Sequence, residues 1–311
     1  MEKDGIILLN KKKGITSFKA INELKLNIHA NKVGHAGTLD PMAEGLMLVM
    51  INSATKFSDK FMKKDKEYYV EMELGYETDT YDSDGQKTKV YEGTIKYDKD
   101  NTIETINSFI GTQYQVPPIY SAIKVNGKKM YEMAREGKDV ERKPRKIVIK
   151  SISNIDFNDN IIMFNVEVSS GTYIRSLIRD IGERLNFGAT MTKLVRTKID
   201  DYLLDDAFTI EEINEKENKN DILIDIETLF NYENIMLAKD ELDSLSNGMT
   251  VLIDFARLDV DLLGYIEKNN NSTNNKKLKV YTGDKEFIGI VSIIKLDRGK
   301  IFLKRDKYFK Y

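Results

Sequence analysis

The stretch "HAGTLDP" at residues 35–41 holds one of the two histidines in the chain and an aspartate directly before a proline. Proline disfavours the helical conformation of the residue before it, so Asp40 is expected to be extended or to cap a short turn that begins at Pro41. Gly37 permits a tight turn whose backbone comes close to a ligand. The carboxylate is therefore either a capping group or a reactive one, and His35 alone is interpreted as a polar loop residue.

The composition restricts the chemistry that such a carboxylate can join. The 311 residues contain no cysteine and only two histidines, so disulfides, thiolate zinc sites and histidine metal clusters are not expected. No apolar run is long enough to span a bilayer, and the first residues lack the order of a signal peptide. This predicts a cytoplasmic protein without a membrane partner, whose chemistry uses carboxylates, amines, hydroxyls and aromatic rings.

Charge is strongly segregated along the chain, although the formal net charge is only −2. Residues 121–150 hold ten Lys or Arg against four Asp or Glu, and residues 200–228 hold eleven acids against two lysines. These segments are either solvated faces or a basic arm that meets a polyanion and an acidic face that points elsewhere.

Hydrophobic periodicity predicts an α/β chain with more hairpins than crossovers. The elements expected before the acidic segment are a strand at 5–10, a helix at 16–28 with Thr16 or Ser17 as N-cap, a strand at 67–75 and a hairpin over 145–171. In the strand at 67–75, alternation places one set of side chains on a common face, namely Tyr68, Val70, Met72 and Leu74.

Residues 171–185 change to helical spacing, and Arg175 lies at the border of their apolar stripe. An arginine there can reach the edge of a cleft while its helix stays docked. Residues 277–306 offer three short strands after a polar stretch at 269–275, which predicts a small β-rich module at the C-terminal end.

Five segments carry more specific information: "LLNKKKGITS", "GHAGTLDPMAEG", "KEYYVEMELGYETDTYDSDG", "QVPPIYSAIKVNGKKMYEMAREG" and "GTYIRSLIRDIGERL". Each resembles a motif of the TruB family of bacterial tRNA pseudouridine-55 synthases, and the motifs stand in the family's order. Four positions depart from the family pattern. Asn10 and Lys12 stand where it has aspartate and proline, and Thr190 and Val195 where it has histidine and a basic residue.

The resemblance implies an α/β fold of the α+β type. Residues 1–232 would form the catalytic domain, a mixed and largely antiparallel sheet with flanking helices and an inserted basic RNA-binding thumb at about 120–146. Residues 233–311 would form a PUA-like, β-rich RNA-binding domain, for which "FIGIVSI" is the recognisable anchor.

The resemblance also implies a reaction, the isomerisation of uridine 55 in the T-arm loop of tRNA to pseudouridine. Uracil is detached from its ribose, turned and reattached through carbon 5, with no metal or other cofactor. A monomer would do this without a guide RNA or a protein partner. One ionised aspartate suffices, whether it attacks the sugar carbon, attacks the base ring or removes a sugar proton.

Residue by residue, Asp40 matches the family's catalytic aspartate and Arg175 the arginine that pairs with it. Substrate contacts are implied for Tyr68, which stacks on the target base, and for Tyr173, Leu194 and His35. His35 matches the residue that fills the space left by the extruded base. Side chains expected on the RNA backbone are Lys56, Lys128, Lys129, Arg142 and Lys143.

Three alternatives stay open at the level of the sequence. The first is a synthase that acts on another RNA uridine or through a guide RNA. The second is a non-catalytic RNA-binding or RNA-folding protein that uses the same surfaces. The third is a nucleoside hydrolase, which would release free uracil.

Overall fold

Strands and helices of this computed structural model form two compact units. One unit contains Ile7–Val49 and Phe57–Ile222, and the other contains Glu2–Ile6, Met50–Lys56 and Leu223–Tyr311. The structure describes residues 2–121, 123–125, 127–136, 141–258, 263–264 and 276–310. The expected polar stretch at 269–275 and residues 137–140 of the basic segment lie outside the described residues.

The strands that lie wholly or mainly in the larger unit are β1 (Gly5–Lys11), β2 (Val33–His35), β3 (Glu44–Ile51), β4 (Lys66–Leu74), β5 (Tyr76–Thr78), β6 (Lys87–Val90), β7 (Gly111–Gln115), β8 (Lys124–Val125), β9 (Lys128–Lys129), β10 (Arg145–Asn158), β11 (Ile161–Val168), β12 (Ala189–Ile199) and β13 (Tyr202–Leu203). Its helices are α1 (Ser17–Asn27), α2 (Ser58–Met62), α3 (Lys99–Asn107), α4 (Met130–Arg135), α5 (Ile174–Arg184) and α6 (Ile210–Glu215). Segments of 3-10 helix cover Leu204–Asp206 and Lys219–Ile222 in this unit, and a further one, Asn52–Phe57, lies mainly in the smaller unit.

One mixed sheet organises the larger unit, in the order β1-β3-β12-β4-β11-β10-β7, with β2 on β3 and β13 on β12. The pair β3 and β12 is parallel, with Val195 opposite Glu44, whereas the pairs β12–β4, β4–β11, β11–β10 and β10–β7 are antiparallel. The predicted mixed and largely antiparallel sheet is confirmed.

Local sequence signals account for the elements nearest the candidate site. Thr16 caps α1 as predicted, because its hydroxyl accepts a hydrogen bond from Lys19 N at 3.1 Å. Alternate residues of β4 are buried, from Lys66 to Leu74, which confirms the predicted common face. The predicted hairpin is formed by β10 and β11, and Asp159 in its turn adopts the left-handed conformation with φ 51°.

Helix α5 lies close to β12 because its sequence leaves room for that approach. A Cβ atom at Gly182 would lie 2.3 Å from the backbone nitrogen of Ala189, at the start of β12. The other buried members of this helix include Ile174, Leu177, Ile178 and Ile181. The predicted apolar stripe is therefore confirmed. Arg175, which was expected at the border of the stripe, is buried.

The smaller unit is a five-stranded sheet with one helix, in the order β15-β17-β18-β19-β16. Its strands are β15 (Asn234–Met236), β16 (Val251–Asp254), β17 (Lys277–Tyr281), β18 (Phe287–Asp297) and β19 (Lys300–Phe309), its helix is α7 (Lys239–Ser246), and the short β14 (Ile224–Asp225) pairs with Gly5 and Ile6. Further 3-10 turns cover Ile226–Leu229 and Phe255–Arg257. The three strands expected over 277–306 are confirmed, whereas the domain boundary expected after residue 232 stays a prediction.

In the part of the chain that the structure describes, no helix combines the length and the apolar character needed to cross a membrane.

Candidate active site

Asp40 lies in the turn between β2 and β3. Its backbone carbonyl accepts a hydrogen bond from Ala43 N at 3.1 Å, with Pro41 inside the turn, and no described helix begins there. Asp40 is therefore the first residue of a short turn, and its carboxylate caps no helix among the described residues. The neighbouring Leu39 is held on both sides by Ser17, whose hydroxyl donates to Leu39 O at 2.9 Å and accepts from Leu39 N at 2.8 Å. Helix α1 thus anchors the residue directly before Asp40.

Two glycines allow the loop around Asp40 to pass close to other backbone and to buried side chains. Gly45 has φ 102°, and a Cβ atom there would lie 2.5 Å from the carbonyl oxygen of Arg196. Gly37 has φ 141°, a conformation that favours glycine. A Cβ atom there would lie 3.6 Å from both Lys66 Cε and Arg196 Nη1. The sequence spacing of these glycines therefore reflects the close packing of the loop on β12.

Arg175 contacts Asp40 through two nitrogens. Its Nη2 donates to Asp40 Oδ1 at 3.0 Å, and its Nε lies 2.9 Å from Asp40 Oδ2. The Nε contact is an ion pair only, since its N–H is not aligned for a hydrogen bond. The guanidinium side chain is 5% exposed, whereas the carboxylate of Asp40 is 34% exposed and so remains open to a ligand.

Three further groups hold Arg175 in this position. Backbone carbonyls accept from it at 3.0 Å in Thr80 and at 2.9 Å in Tyr120, and Asp82 Oδ2 lies 3.4 Å from its Nη1. The guanidinium is planar and always charged, so this set of acceptors determines both its place and its rotation. The carboxylate of Asp40 therefore contacts a cation whose orientation is fixed.

Asp82 is a buried carboxylate that the sequence reasoning missed. It accepts from Thr80 Oγ1 at 2.6 Å and from Asp84 N at 3.2 Å. Burial raises the pKa of Asp82 above its usual value, while the hydrogen bond from Thr80 and the charge of Arg175 oppose that rise. The only signal was its place in the quoted segment "TDTYDSDG", where several acids stand together and nothing local distinguishes one of them.

Tyr68 and Leu194 lie on one face of the sheet, on neighbouring strands. Arg196 on β12 is paired with Tyr68 on β4, and Leu194 is paired with Val70 two residues further along. Residues paired in this way project to the same side, so Tyr68 and Leu194 are diagonal neighbours. Tyr68 is 8% exposed and Leu194 is 5% exposed, so both side chains are buried in this structure.

Tyr173 is the N-cap residue of α5, and its backbone is held by Gln115. The amide of Gln115 accepts from Tyr173 N at 2.8 Å and donates to Tyr173 O at 3.0 Å. Next to it, Ser176 Oγ donates to Val116 O at 2.9 Å. The start of α5 is therefore bound to the end of β7, two residues before Arg175.

Two family models together cover most of the chain. The model of the TruB family pseudouridylate synthase N-terminal domain matches residues 25–174, and the model of the tRNA pseudouridylate synthase B C-terminal domain matches residues 175–231. The chain belongs to the TruB family of pseudouridylate synthases. The family and the class of enzyme that the five motifs indicated are confirmed.

Curated relatives agree with the family models over nearly the full length. A tRNA pseudouridine synthase B of Fusobacterium nucleatum is 41% identical, over 98% of this chain and 100% of its own. Proteins of the same name from Aquifex aeolicus and Clostridium kluyveri are 40% and 37% identical, over 80% and 92% of this chain and over 88% and 94% of their own.

Solved structures show the same fold at lower identity. A chain from the crystal structure of a Cbf5-Nop10-Gar1 complex superposes with a TM-score of 0.66 at 21% identity, over 98% of this chain and 84% of its own. A chain from an H/ACA RNP bound to a substrate RNA containing 2′-deoxyuridine gives 0.65 at 19% identity, over 99% and 85% of the two chains. At this level of identity the likeness concerns the fold alone.

His35 in this TruB-family chain lies at the end of β2, partly buried. Its Nδ1 accepts a hydrogen bond from Gly37 N at 3.2 Å. Burial, together with the charge of Arg196, lowers the pKa of His35 below its usual value. The imidazole is therefore neutral at pH 7 and acts as an acceptor inside its own loop.

Three cations are buried close to this loop, and the sequence did not indicate their burial. Lys11 donates to Ile15 O at 2.7 Å and to Lys12 O at 2.8 Å, and Lys66 donates to Lys64 O at 2.6 Å and to Met62 O at 3.0 Å. Burial lowers the pKa of each lysine to about 8. The third is the Arg196 guanidinium, which donates to Leu46 O at 2.7 Å and to Gly37 O at 3.2 Å.

The residues expected on the RNA backbone belong to several different elements. The segment 120–146 contains β8, β9 and α4, and its last two residues already belong to β10. Lys128 is 61% exposed and lies 4.0 Å from Glu136, and Lys143 is also exposed. Arg142 is partly buried and donates to the hydroxyl of Tyr81. Lys129 is placed by its backbone in β9, and Lys56 is exposed on the turn Asn52–Phe57 of the smaller unit.

The four departures from the family pattern are accommodated locally. Asn10 N donates to Phe208 O at 2.9 Å, and Lys12 forms an ion pair with Glu211 on α6. Thr190 is fully buried, and its hydroxyl donates to Tyr76 O at 2.9 Å. Val195 is partly buried on β12, where it is paired with Glu44 and Tyr69.

Proposed function

We propose that this chain converts uridine 55 in the T-arm loop of tRNA to pseudouridine, with Asp40 as the catalytic carboxylate. The observation that carries the proposal is the contact of a one-third-exposed Asp40 with a buried Arg175 that also donates to two backbone carbonyls. tRNA as the substrate is supported by relatives named tRNA pseudouridine synthase B that match over most of both chains.

The reaction breaks the bond between uracil N1 and ribose C1′, turns the base and joins its C5 to C1′. The hydrogen on C5 leaves as a proton and N1 takes one up, so the atoms balance without any added reactant. One carboxylate can serve because the leaving uracil carries its own negative charge. The guanidinium of Arg175 holds that carboxylate in one orientation and offsets its charge.

The base needs a site that separates it from water while it turns. The shared face of Tyr68 and Leu194 offers an aromatic ring and an apolar side chain, and Tyr173 adds a second ring at the start of α5. Aromatic side chains bind an extruded base by stacking. His35 is neutral and lies in the same loop as Asp40, which suits the role of filling the space that the base leaves.

The enzyme would act on tRNA alone, as a monomer in the cytoplasm, without a guide RNA. Two basic regions of the same chain can supply phosphate contacts, the segment 120–146 and the PUA-like unit, where residues 276–310 hold eleven Lys or Arg against four Asp or Glu. A guide-dependent enzyme would need a second RNA to position the uridine.

A tRNA transcript that carries tritium on carbon 5 of its uridines tests the proposal. We expect the purified chain to release tritium to water from this transcript without any other RNA, and not from a control in which cytidine occupies position 55. Asp40→Asn should bind the tRNA but release no tritium, since the variant keeps the size of the side chain and loses its charge.

The competing functions give different results in the same assay. Free labelled uracil would indicate a hydrolase. Tight binding of tRNA without release would indicate a binding protein, and release only after addition of a guide RNA would exclude the stand-alone mode. Asp40→Asn with activity within tenfold of wild type would refute the assignment of the catalytic carboxylate.

A further inference from the structure

Tyr81 is a strained residue beside the candidate active site. It has φ 64°, in the left-handed region that a bulky side chain rarely adopts. The turn holds it there, because Tyr81 N donates to Thr78 O at 3.2 Å and Tyr81 O accepts from Met191 N at 3.2 Å. Its neighbours on either side, Thr80 and Asp82, both contact Arg175.

Two arginines from different parts of the chain converge on the hydroxyl of Tyr81. Arg142 Nη1 lies 3.3 Å from it, and Arg179 Nη1, on α5, lies 3.2 Å from it. The Arg179 guanidinium also stands 4.9 Å from the centre of the Tyr81 ring. Its Nε donates to Asp180 Oδ1 at 2.8 Å, which orients the guanidinium.

The Tyr81 hydroxyl and the two arginines keep N–H and O–H donors that bond to no acceptor among the described residues. Arginine only donates, so the Tyr81 oxygen accepts twice, and its own proton has no acceptor among the described residues. Arg142 makes a single side-chain hydrogen bond within the described part of the chain. Burial alone would raise the pKa of Tyr81, but the two arginines lower it below its usual value. The electrostatic potential at the hydroxyl is therefore positive.

We propose that Tyr81, Arg142 and Arg179 form a binding site for one phosphodiester group of the RNA substrate. Its donors would be the Tyr81 hydroxyl and the free guanidinium N–H groups, which suit the oxygens of a phosphate. With two guanidinium groups and one carboxylate, that of Asp180, the cluster carries a net charge of +1.

RNA fits this site better than free phosphate because of where it lies. Tyr81 stands between two residues that hold Arg175, so a phosphate bound there is close to a nucleotide whose base reaches Asp40. This argument rests on the proposed function. The site also extends the basic segment 120–146, because Arg142 belongs to that segment and Arg179 does not.

Binding measurements on a T-arm stem-loop RNA test the site separately from catalysis. Wild type is compared with Arg179→Gln and Tyr81→Phe, of which the second keeps the ring and the strained turn. We expect each variant to bind about tenfold more weakly, and Arg179→Gln to flatten the slope of log affinity against log salt by about one unit. Arg184→Gln is the matched control, since Arg184 is on the same helix and contacts Ser108 and Phe109 instead.

Stem-loops with one methylphosphonate linkage at a time identify the phosphate. At one position the neutral linkage should weaken wild type about tenfold and weaken Arg179→Gln clearly less, because the variant has already lost part of the same interaction. Thermal melts of each variant check that the fold is retained, and Arg179→Lys should restore the salt slope.

Equal affinity and salt slope in wild type, Arg179→Gln and Tyr81→Phe would overturn the proposal. Additive effects at every neutral linkage would also overturn it. If the variants lose binding of inorganic phosphate but bind RNA as wild type does, the assignment to RNA is wrong. Tritium release by wild type reports on the proposed function independently, since these experiments measure binding alone.

Discussion

Replacement of Arg175 by methionine is the sharpest perturbation that the site offers. Methionine fills a similar volume but removes a cation that contacts Asp40, Asp82 and the carbonyl oxygens of Thr80 and Tyr120. Asp82 is 7% exposed, so it would be left as a buried carboxylate without its cation. Asp40 would keep its place in the turn but lose the group that orients it.

The magnitude follows from these contacts. Removal of one partner of a buried ion pair costs about 3–5 kcal/mol, and each buried carbonyl left without a donor adds up to about 1–3 kcal/mol. We expect the free energy of unfolding of Arg175→Met to fall by at least about 3 kcal/mol. Turnover should fall by about a hundredfold or more, which corresponds to about 2.7 kcal/mol of transition-state stabilisation.

Single-turnover tritium release at saturating tRNA measures the chemical step, and urea melts measure stability. Arg175→Lys keeps the charge but cannot contact both oxygens of Asp40 and both carbonyls at once, so it should lie between wild type and Arg175→Met in stability. Arg184→Met on the same helix is exposed and should change stability by less than about 1 kcal/mol. Arg175→Met with turnover within threefold of wild type and an unchanged melt would refute the reasoning.

Three further perturbations test other parts of the site. Tyr68→Phe should keep most of the tritium release and Tyr68→Ala should lose most of it, because stacking needs the ring; equal, small losses would make this tyrosine purely structural. Gly182→Ala places a Cβ atom 2.3 Å from Ala189 N, so it should lower the free energy of unfolding by about 1–3 kcal/mol in urea melts and reduce turnover through α5; an unchanged melt would contradict that packing. Burial lowers the pKa of Lys66 from 10.5 to about 8, so between these values the unfolded chain binds more protons than the folded chain and stability rises with pH. The melting temperature of wild type minus that of Lys66→Met should therefore increase between about pH 8 and about pH 10.5, and a constant difference would speak against the lowered pKa.

Much of the fold could be predicted from the sequence because short-range rules govern it. The alternation in β4, the Thr16 cap of α1 and the turn between β10 and β11 depend on residues within one element or one turn. The buried position of Arg175 could not be predicted in the same way. Its spacing put it at the edge of the apolar stripe of α5, whereas its burial depends on Asp40, Asp82 and two carbonyls from distant segments.

The candidate site shows the same division. Asp40, Arg175, Tyr68, Tyr173 and His35 could be named because each stands in a quoted segment that resembles a family motif, and Leu194 because it matches the family's apolar substrate contact. Asp82 and Tyr81 stand in such a motif too, yet their types have ordinary surface roles and nothing in the spacing assigns them. Lys11, Lys66 and Arg196 are the clearest examples of residues whose position could not be predicted, since charged side chains are almost never fully buried.

By itself, the sequence determined the order of the elements, the short turn at Asp40 and the family to which the chain belongs, because these depend on local backbone preferences and on motifs read along the chain. Tertiary structure alone decided which groups surround that carboxylate. Asp40 and Arg175 are separated by 135 positions, and Tyr81 meets Arg142 and Arg179 across 61 and 98 positions. Contacts over such separations arise only when the sheet order and the docking of α5 bring the segments together, since no periodicity of 2 or 3.6 residues encodes them.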